Sequence, residues 1–193
     1  VDTTPDITAN QKNTLFTYEG ACTGAELVID NGYFEPTRMI LLYYSSSSAT
    51  INGGTFVSNF VVTADGPVTS RSTTNNNEHM LSPRGVNAVL TINGGSFDNK
   101  DGRYIIAANG SAEGAVTTIT GGTFEGGSGW YFTNGKTTFS AKNATFTDTR
   151  KSALNAYFDM SGLGAVATFE NLTVVNSEDG FVINNAANRT FTI

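Results

Sequence analysis

A seven-residue phrase recurs along the chain, and no other feature restricts the available folds as strongly. It reads Thr50-Ile51-Asn52-Gly53-Gly54-Thr55-Phe56, then Thr91-Ile92-Asn93-Gly94-Gly95-Ser96-Phe97, then Thr118-Ile119-Thr120-Gly121-Gly122-Thr123-Phe124. Looser copies run Val28 to Phe34 and Thr168 to Val174, and Thr138-Phe139-Ser140 with Ala144-Thr145-Phe146 is a copy carrying two extra residues in its middle. A repeated unit this short cannot bury its apolar face alone, so the copies must stack on one another.

The closing residues Phe34, Phe56, Phe97, Phe124, Phe146 and Val174 are separated by 22, 41, 27, 22 and 28 residues. A step in the low twenties fits one coil of a parallel β-helix, with three short strands joined by turns. Thr-Ile-Asn alternates as a half-buried strand does, Gly-Gly turns a corner, and Thr-Phe opens a second strand with the ring inward. Where the glycines are missing, Asn31-Gly32 and Asn171-Leu172 stand in. Third strands are expected at Met39 to Tyr44, Phe60 to Val62, Tyr104 to Ala107, Trp130 to Phe132, Leu154 to Phe158 and Phe181 to Ile183. The expected fold is all-β: a right-handed parallel β-helix (solenoid) of about six to seven coils, three short strands per coil. Its interior should hold two ranks, Ile29-Ile51-Ile92-Ile119-Phe139-Phe169 and the Phe34 to Val174 series.

The 193 residues make one domain. Residues 1–24 lack the phrase and are expected to cap the first coil, with a short helix somewhere in 6–17. Coils fill 25–175 around an inserted loop at 64–88, and 176–193 form a last coil ending in an open strand. Only 15% of residues are charged and the net charge is −6, which argues against nucleic acid as a partner. No apolar run reaches the length of a membrane span, so no membrane insertion is expected. Cys22, the single cysteine, permits no internal disulfide and is expected to be buried. A start at Val1 without a leader fits a secreted protein after processing, or an excised piece. Four sequons, at Asn109, Asn143, Asn171 and Asn188, are about as many as chance provides.

Several constellations are candidates for function. An outward face is expected from Thr50, Thr91, Thr118, Thr138 and Thr168, paired two residues on by Asn52, Asn93, Thr120, Ser140 and Glu170. Of these, Thr50, Asn52, Thr91, Asn93, Thr118 and Thr120 are the binding candidates. His79 and Arg84 are candidates on the inserted loop, since long insertions on repeat scaffolds often bind. Asp98, Asp101 and Glu125 fall close together in adjacent coils and are weak Ca²⁺ candidates, although three ligands do not fill a shell. Asp148, Asp159, Glu178 and Asp179 could supply a facing acid pair for glycoside hydrolysis. Arg189-Thr190-Phe191-Thr192-Ile193 alternates like a strand and is the candidate assembly edge.

The Ile-Asn-Gly-Gly-Thr-Phe phrase resembles the repeats of microbial adhesin-like surface proteins with right-handed parallel β-helix folds, over about residues 27–175. That resemblance implies extracellular display and contacts with glycans or proteins. The expected function is a non-enzymatic extracellular structural or adhesive protein, a self-assembling subunit without cofactors. Its expected partners are copies of itself, and glycans or cell-surface ligands. A polysaccharide hydrolase or lyase is the first alternative, and an ice-binding protein using the Thr-x-Asn/Thr face is the second.

Overall fold

The computed structural model describes residues 14–18, 22–35, 39–43, 46–57, 79–99, 104–108, 113–126, 128–132, 137–147, 158–159, 166–175 and 190–192. Every element among them is a β-strand, and all pairings are parallel. The first round of chain comprises β1 (Thr14–Tyr18), β2 (Glu26–Ile29) and β3 (Tyr33–Phe34), and the second β4 (Met39–Tyr43), β5 (Ser48–Ile51) and β6 (Thr55–Val57). The third holds β7 (His79–Pro83), β8 (Val89–Ile92) and β9 (Ser96–Asp98), and the fourth β10 (Tyr104–Ala108), β11 (Val116–Ile119) and β12 (Thr123–Glu125). The fifth holds β13 (Ser128–Phe132), β14 (Thr138–Lys142) and β15 (Thr145–Thr147). The sixth holds β16 (Phe158–Asp159), β17 (Val166–Glu170) and β18 (Thr173–Val175), before a final β19 (Thr190–Thr192).

Strands take the three sheets in rotation. Sheet A runs β1-β4-β7-β10-β13-β16, sheet B β2-β5-β8-β11-β14-β17-β19, and sheet C β3-β6-β9-β12-β15-β18. Buried residues from all three form one cluster, including Leu81 and Ile106 of sheet A, Ile51 and Ile92 of sheet B, and Phe97 and Phe124 of sheet C.

Sheet C contributes the most ordered part of this core. Phe34, Phe56, Phe97, Phe124 and Phe146 stack ring on ring, with centroids 5.0, 4.8, 4.8 and 4.8 Å apart and interplanar angles of 6–13°. The centroid spacing is the spacing of parallel strands, so the backbone ladder dictates the stack. Carbon atoms touch at about 3.5–4.0 Å, so near-parallel rings at this spacing meet only when offset, the favoured arrangement. Phe16 closes the first end edge-on, its ring 6.1 Å from Phe34 at 65°.

Sheet B differs from expectation at β14. Ser140, not Thr138, stands beside Thr118, and Ala141, not Phe139, beside Ile119. The two extra residues lengthen the strand rather than the corner. Phe139 therefore joins a second inward rank with Leu27, Ala49, Leu90, Thr117 and Ala167. Volumes compensate: Phe139 and Ala141 of β14 lie between Thr117 and Ile119 of β11 and Ala167 and Phe169 of β17. Each strand thus brings one large and one small side chain inward, and Phe139 meets Phe169 on the diagonal at 6.0 Å.

Corners between sheets B and C come in two forms. In the three Gly-Gly corners, Gly54, Gly95 and Gly122 adopt φ of 112, 109 and 111°. Each also lies against the carbonyl of the preceding round's glycine, where a Cβ would approach to 3.0–3.1 Å. Ala144 and Leu172 hold that position in the last two rounds. There the positive φ moves one residue earlier, to Asn143 at 53° and Asn171 at 52°, Asn being the residue with a side chain that tolerates it best.

Other expectations change. Of the stretch 6–17 where a short helix was expected, residues 14–17 belong to β1 and the rest lies outside the described residues, so the first strand begins inside the expected cap. The place in sheet A between β4 and β10 belongs to His79–Pro83, so the inserted loop does not extend to 88, and Phe60 to Val62 lies outside the described residues, as does Phe181 to Ile183. Met80, Leu81, Ser82 and Pro83 are all buried, as are Ile105, Ile106 and Ala107, so β7 and β10 are covered on both faces. Cys22 is exposed rather than buried.

The centre of the Phe stack should matter more than its rim. Phe97→Ala is expected to cost about 3–5 kcal/mol of unfolding free energy, and Phe34→Ala, whose ring is only half-buried, clearly less. Guanidinium unfolding curves of the two variants check the order.

Candidate functional site

Sheets B and C carry their side chains in straight rows, because parallel strands in register place equivalent positions side by side. On sheet B, Val28, Thr50, Thr91, Thr118, Ser140 and Thr168 form the middle outward row. Thr50, Thr91 and Thr118, the expected binding threonines, are adjacent in it and half-buried. Thr138 belongs to a different row, opposite Val116 and Val166.

Beside them, at the corner, runs a hydrogen-bonded ladder. The Thr120 hydroxyl donates to Asn93 Oδ1 at 2.9 Å, Asn93 Nδ2 donates to Asn52 Oδ1 at 2.8 Å, and Asn52 Nδ2 donates to Asp30 Oδ1 at 2.7 Å. An ionised carboxylate only accepts, so Asp30 forces Asn52 to present its NH₂ in that direction and its carbonyl oxygen in the other. Asn93 must then donate to that oxygen, and Thr120 to Asn93. One charge at the end thus orients every rung. A shorter ladder of the same kind links Asn171 Nδ2 to Asn143 Oδ1 at 2.8 Å. The three ladder residues that were expected to bind a ligand are therefore bonded to one another.

A second polar row was not anticipated. The residue before each inward ring of sheet C points out, giving Tyr33, Thr55, Ser96, Thr123, Thr145 and Thr173 side by side. Every member carries a hydroxyl, and all but the half-buried Thr145 are exposed. The signal lay in the Thr/Ser-Phe pair of each repeat, read for its inward ring and not for its outward neighbour. At the row's first end the Tyr33 hydroxyl donates to Glu35 Oε2 at 2.8 Å. That bond, then partial desolvation, the field of Glu35 and last that of Asp98, holds the Tyr33 phenol above its ordinary pKa.

The remaining candidates fall apart or into structural roles. Asp98 and Glu125 are directly opposite in sheet C; Asp101 lies outside the described residues. Among the described residues no three His, Cys, Asp or Glu side chains gather as a metal site. Arg84 Nε donates to Ser82 Oγ at 2.9 Å, and that buried hydroxyl donates to the Ala107 carbonyl at 3.0 Å, so Arg84 braces sheet A. His79 opens β7 opposite Tyr104, on a strand and not on a loop. Asp159 lies in β16 opposite Tyr131; Asp148, Glu178 and Asp179 lie outside the described residues. Of the expected assembly edge, Thr190–Thr192 is β19, paired with β17, while Arg189 and Ile193 lie outside the description.

One buried polar group stands apart. Asn99, just past β9, is fully buried; its backbone N–H donates to the Glu125 carbonyl at 2.8 Å, but among the described residues neither Nδ2 nor Oδ1 has a partner. Each such group costs about 1–3 kcal/mol.

Two predictions follow from these contacts. Asn93→Asp leaves two acceptors facing each other that Asn52 cannot relieve by turning over, because Asp30 holds it. It should lower stability by about 1 kcal/mol, more than Asn93→Ser, and acidification should remove the difference in thermal unfolding. Asn99→Leu, nearly equal in shape, should raise stability by about 1–3 kcal/mol; a drop in the denaturant midpoint would mean that the amide is satisfied in solution.

Comparison with protein-family models, curated proteins and solved structures finds no match to this chain.

Proposed function

We propose that the chain is a right-handed parallel β-helix serving as a non-enzymatic extracellular structural or adhesive element, built to join copies of itself. The rotation of strands through three parallel sheets supports the solenoid, and crossovers between parallel strands are almost always right-handed. The observation that carries the functional reading is the pair of in-register outward rows, hydroxyl after hydroxyl on sheet C and on the middle of sheet B. Such rows offer a long, stiff, hydroxyl-rich surface, bordered on sheet B by the exposed Val28, Val89 and Val166, suited to repetitive contact rather than the convergent pocket that catalysis needs. Self-assembly rests on sheet B, where β2 and β19 are the two edge strands and each keeps one backbone edge unpaired among the described residues. Pairing β19 of one copy with β2 of the next would extend the sheet without a break in direction.

Ice binding is a second reading, favoured by the regular hydroxyl row of sheet C. It predicts faceted ice crystals in the presence of the protein, and loss of faceting in Thr123→Lys.

Light scattering with negative-stain imaging tests the assembly, comparing the chain with a version lacking residues 189–193. Filaments or long oligomers that vanish on truncation are expected. A monomer in both overturns the self-assembly reading and moves the test to glycan binding and sugar release.

A further inference from the structure

Five Asn-Gly pairs occur in the chain, at Asn31, Asn52, Asn93, Asn109 and Asn134. The first three are described, all exposed and all at the same corner, yet their side chains are held very differently. Asn52 and Asn93 each make two ladder bonds, donating through Nδ2 and accepting through Oδ1. Asn31 stands outside the ladder, and its one side-chain hydrogen bond among the described residues is with the next residue: the Gly32 N–H donates to Asn31 Oδ1 at 2.8 Å. The backbone nitrogen that can attack the side chain is therefore already against the group that it would attack. Gly32 has no Cβ to hinder the approach.

We propose that Asn31 is a site of spontaneous covalent self-modification through a cyclic imide, while the ladder protects Asn52 and Asn93. The Gly32 nitrogen gives up its proton to solvent hydroxide and attacks Asn31 Cγ. The tetrahedral intermediate takes a proton from water onto Nδ2, breaks its Cγ–Nδ2 bond and releases ammonia, leaving a five-membered succinimide and returning the hydroxide. Water then adds to one of the two ring carbonyls and opens the ring to aspartate or isoaspartate. The net exchange is one water consumed and one ammonium ion released, with one negative charge left on the chain; no electrons are transferred.

The product changes the first round of the fold. Either form puts a carboxylate beside Asp30, the acceptor that orients the ladder. The isoaspartate form also inserts a methylene into the main chain immediately before Gly32. That residue's carbonyl accepts the Thr55 N–H at 2.8 Å and lies against Gly54. The first rung of sheet C, Tyr33 with Thr55, is then displaced.

The test incubates the full chain in mildly alkaline buffer made with heavy-oxygen water and maps peptides by mass spectrometry over time. Freeing Asn52 or Asn93 breaks two hydrogen bonds worth roughly a factor of five each, so Asn31 should convert about 25-fold faster than either. In denaturant, where no ladder exists, the three rates should converge. Asn31→Gln should abolish conversion at that position, and Asp30→Ala, which removes one bond from Asn52, should speed Asn52 by about fivefold. Comparable rates at the three sites in the folded chain, a stable Asn31, or an Asn52 indifferent to Asp30→Ala would each overturn the proposal.

Discussion

The distance between neighbouring parallel strands, the 4.8 Å that separates Phe97 from Phe56 and from Phe124, is the constraint on which the rest of this structure rests. At that spacing, and with strands in register, every side chain has its own equivalent as its nearest neighbour. The sequence therefore has to consist of residues that tolerate their own kind. Phenylalanine does so by offset stacking, and asparagine by donating on one side and accepting on the other. Glycine does so by leaving room for the carbonyl of the glycine in the round before. Charges do so only at a cost, since like charges directly opposite are unfavourable, as Asp98 and Glu125 are. That fits the chain's low charged content of 15% and its reliance on Thr, Ser and Asn for a polar surface.

This like-on-like rule is why so much of the architecture was legible in the amino-acid order. The Ile-Asn-Gly-Gly-Thr-Phe phrase located β5 with β6 and β8 with β9, and the inward series from Phe34 to Phe146 is the stack that the structure contains. Legibility failed where copies were not copies. Thr138-Phe139-Ser140 looked like Thr118-Ile119-Thr120, and only packing reveals the two-residue shift: Phe139 needs Thr117 and Ala167 beside it, not Ile119 and Phe169. Sheet A has no phrase of its own, and β7 carries Pro83 and Ser82 where other strands are apolar, so its position could not be read by analogy. Cys22 was misplaced because size and polarity say nothing about which side of a turn faces solvent.

The candidate surface was half legible. Thr50, Thr91 and Thr118 do align, but the asparagines beside them are engaged with each other and with Asp30. The row from Tyr33 to Thr173 was visible only once the sheet C register gave each outward residue its neighbour. The buried Asn99 had no sequence signal, because an Asn after Asp98 reads as a turn residue. The polar surface that results is one of geometry more than of charge, and its specificity for any partner would come from repeat spacing rather than from a single strong contact.

The ladder from Thr120 to Asp30 has a bearing on how such a chain can change length. Each interior rung both gives and takes a hydrogen bond, so it is indifferent to how many rungs precede it. Asp30 can only terminate the series. Duplication of an interior unit, such as the one bearing Asn93, would leave every bond intact and the terminus where it was. Duplication of the unit bearing Asp30 would set two carboxylates against each other. Growth or loss of whole repeats is therefore tolerated on one side of the first turn and opposed at it, which makes the Asp30 corner a fixed origin from which gene duplication can count.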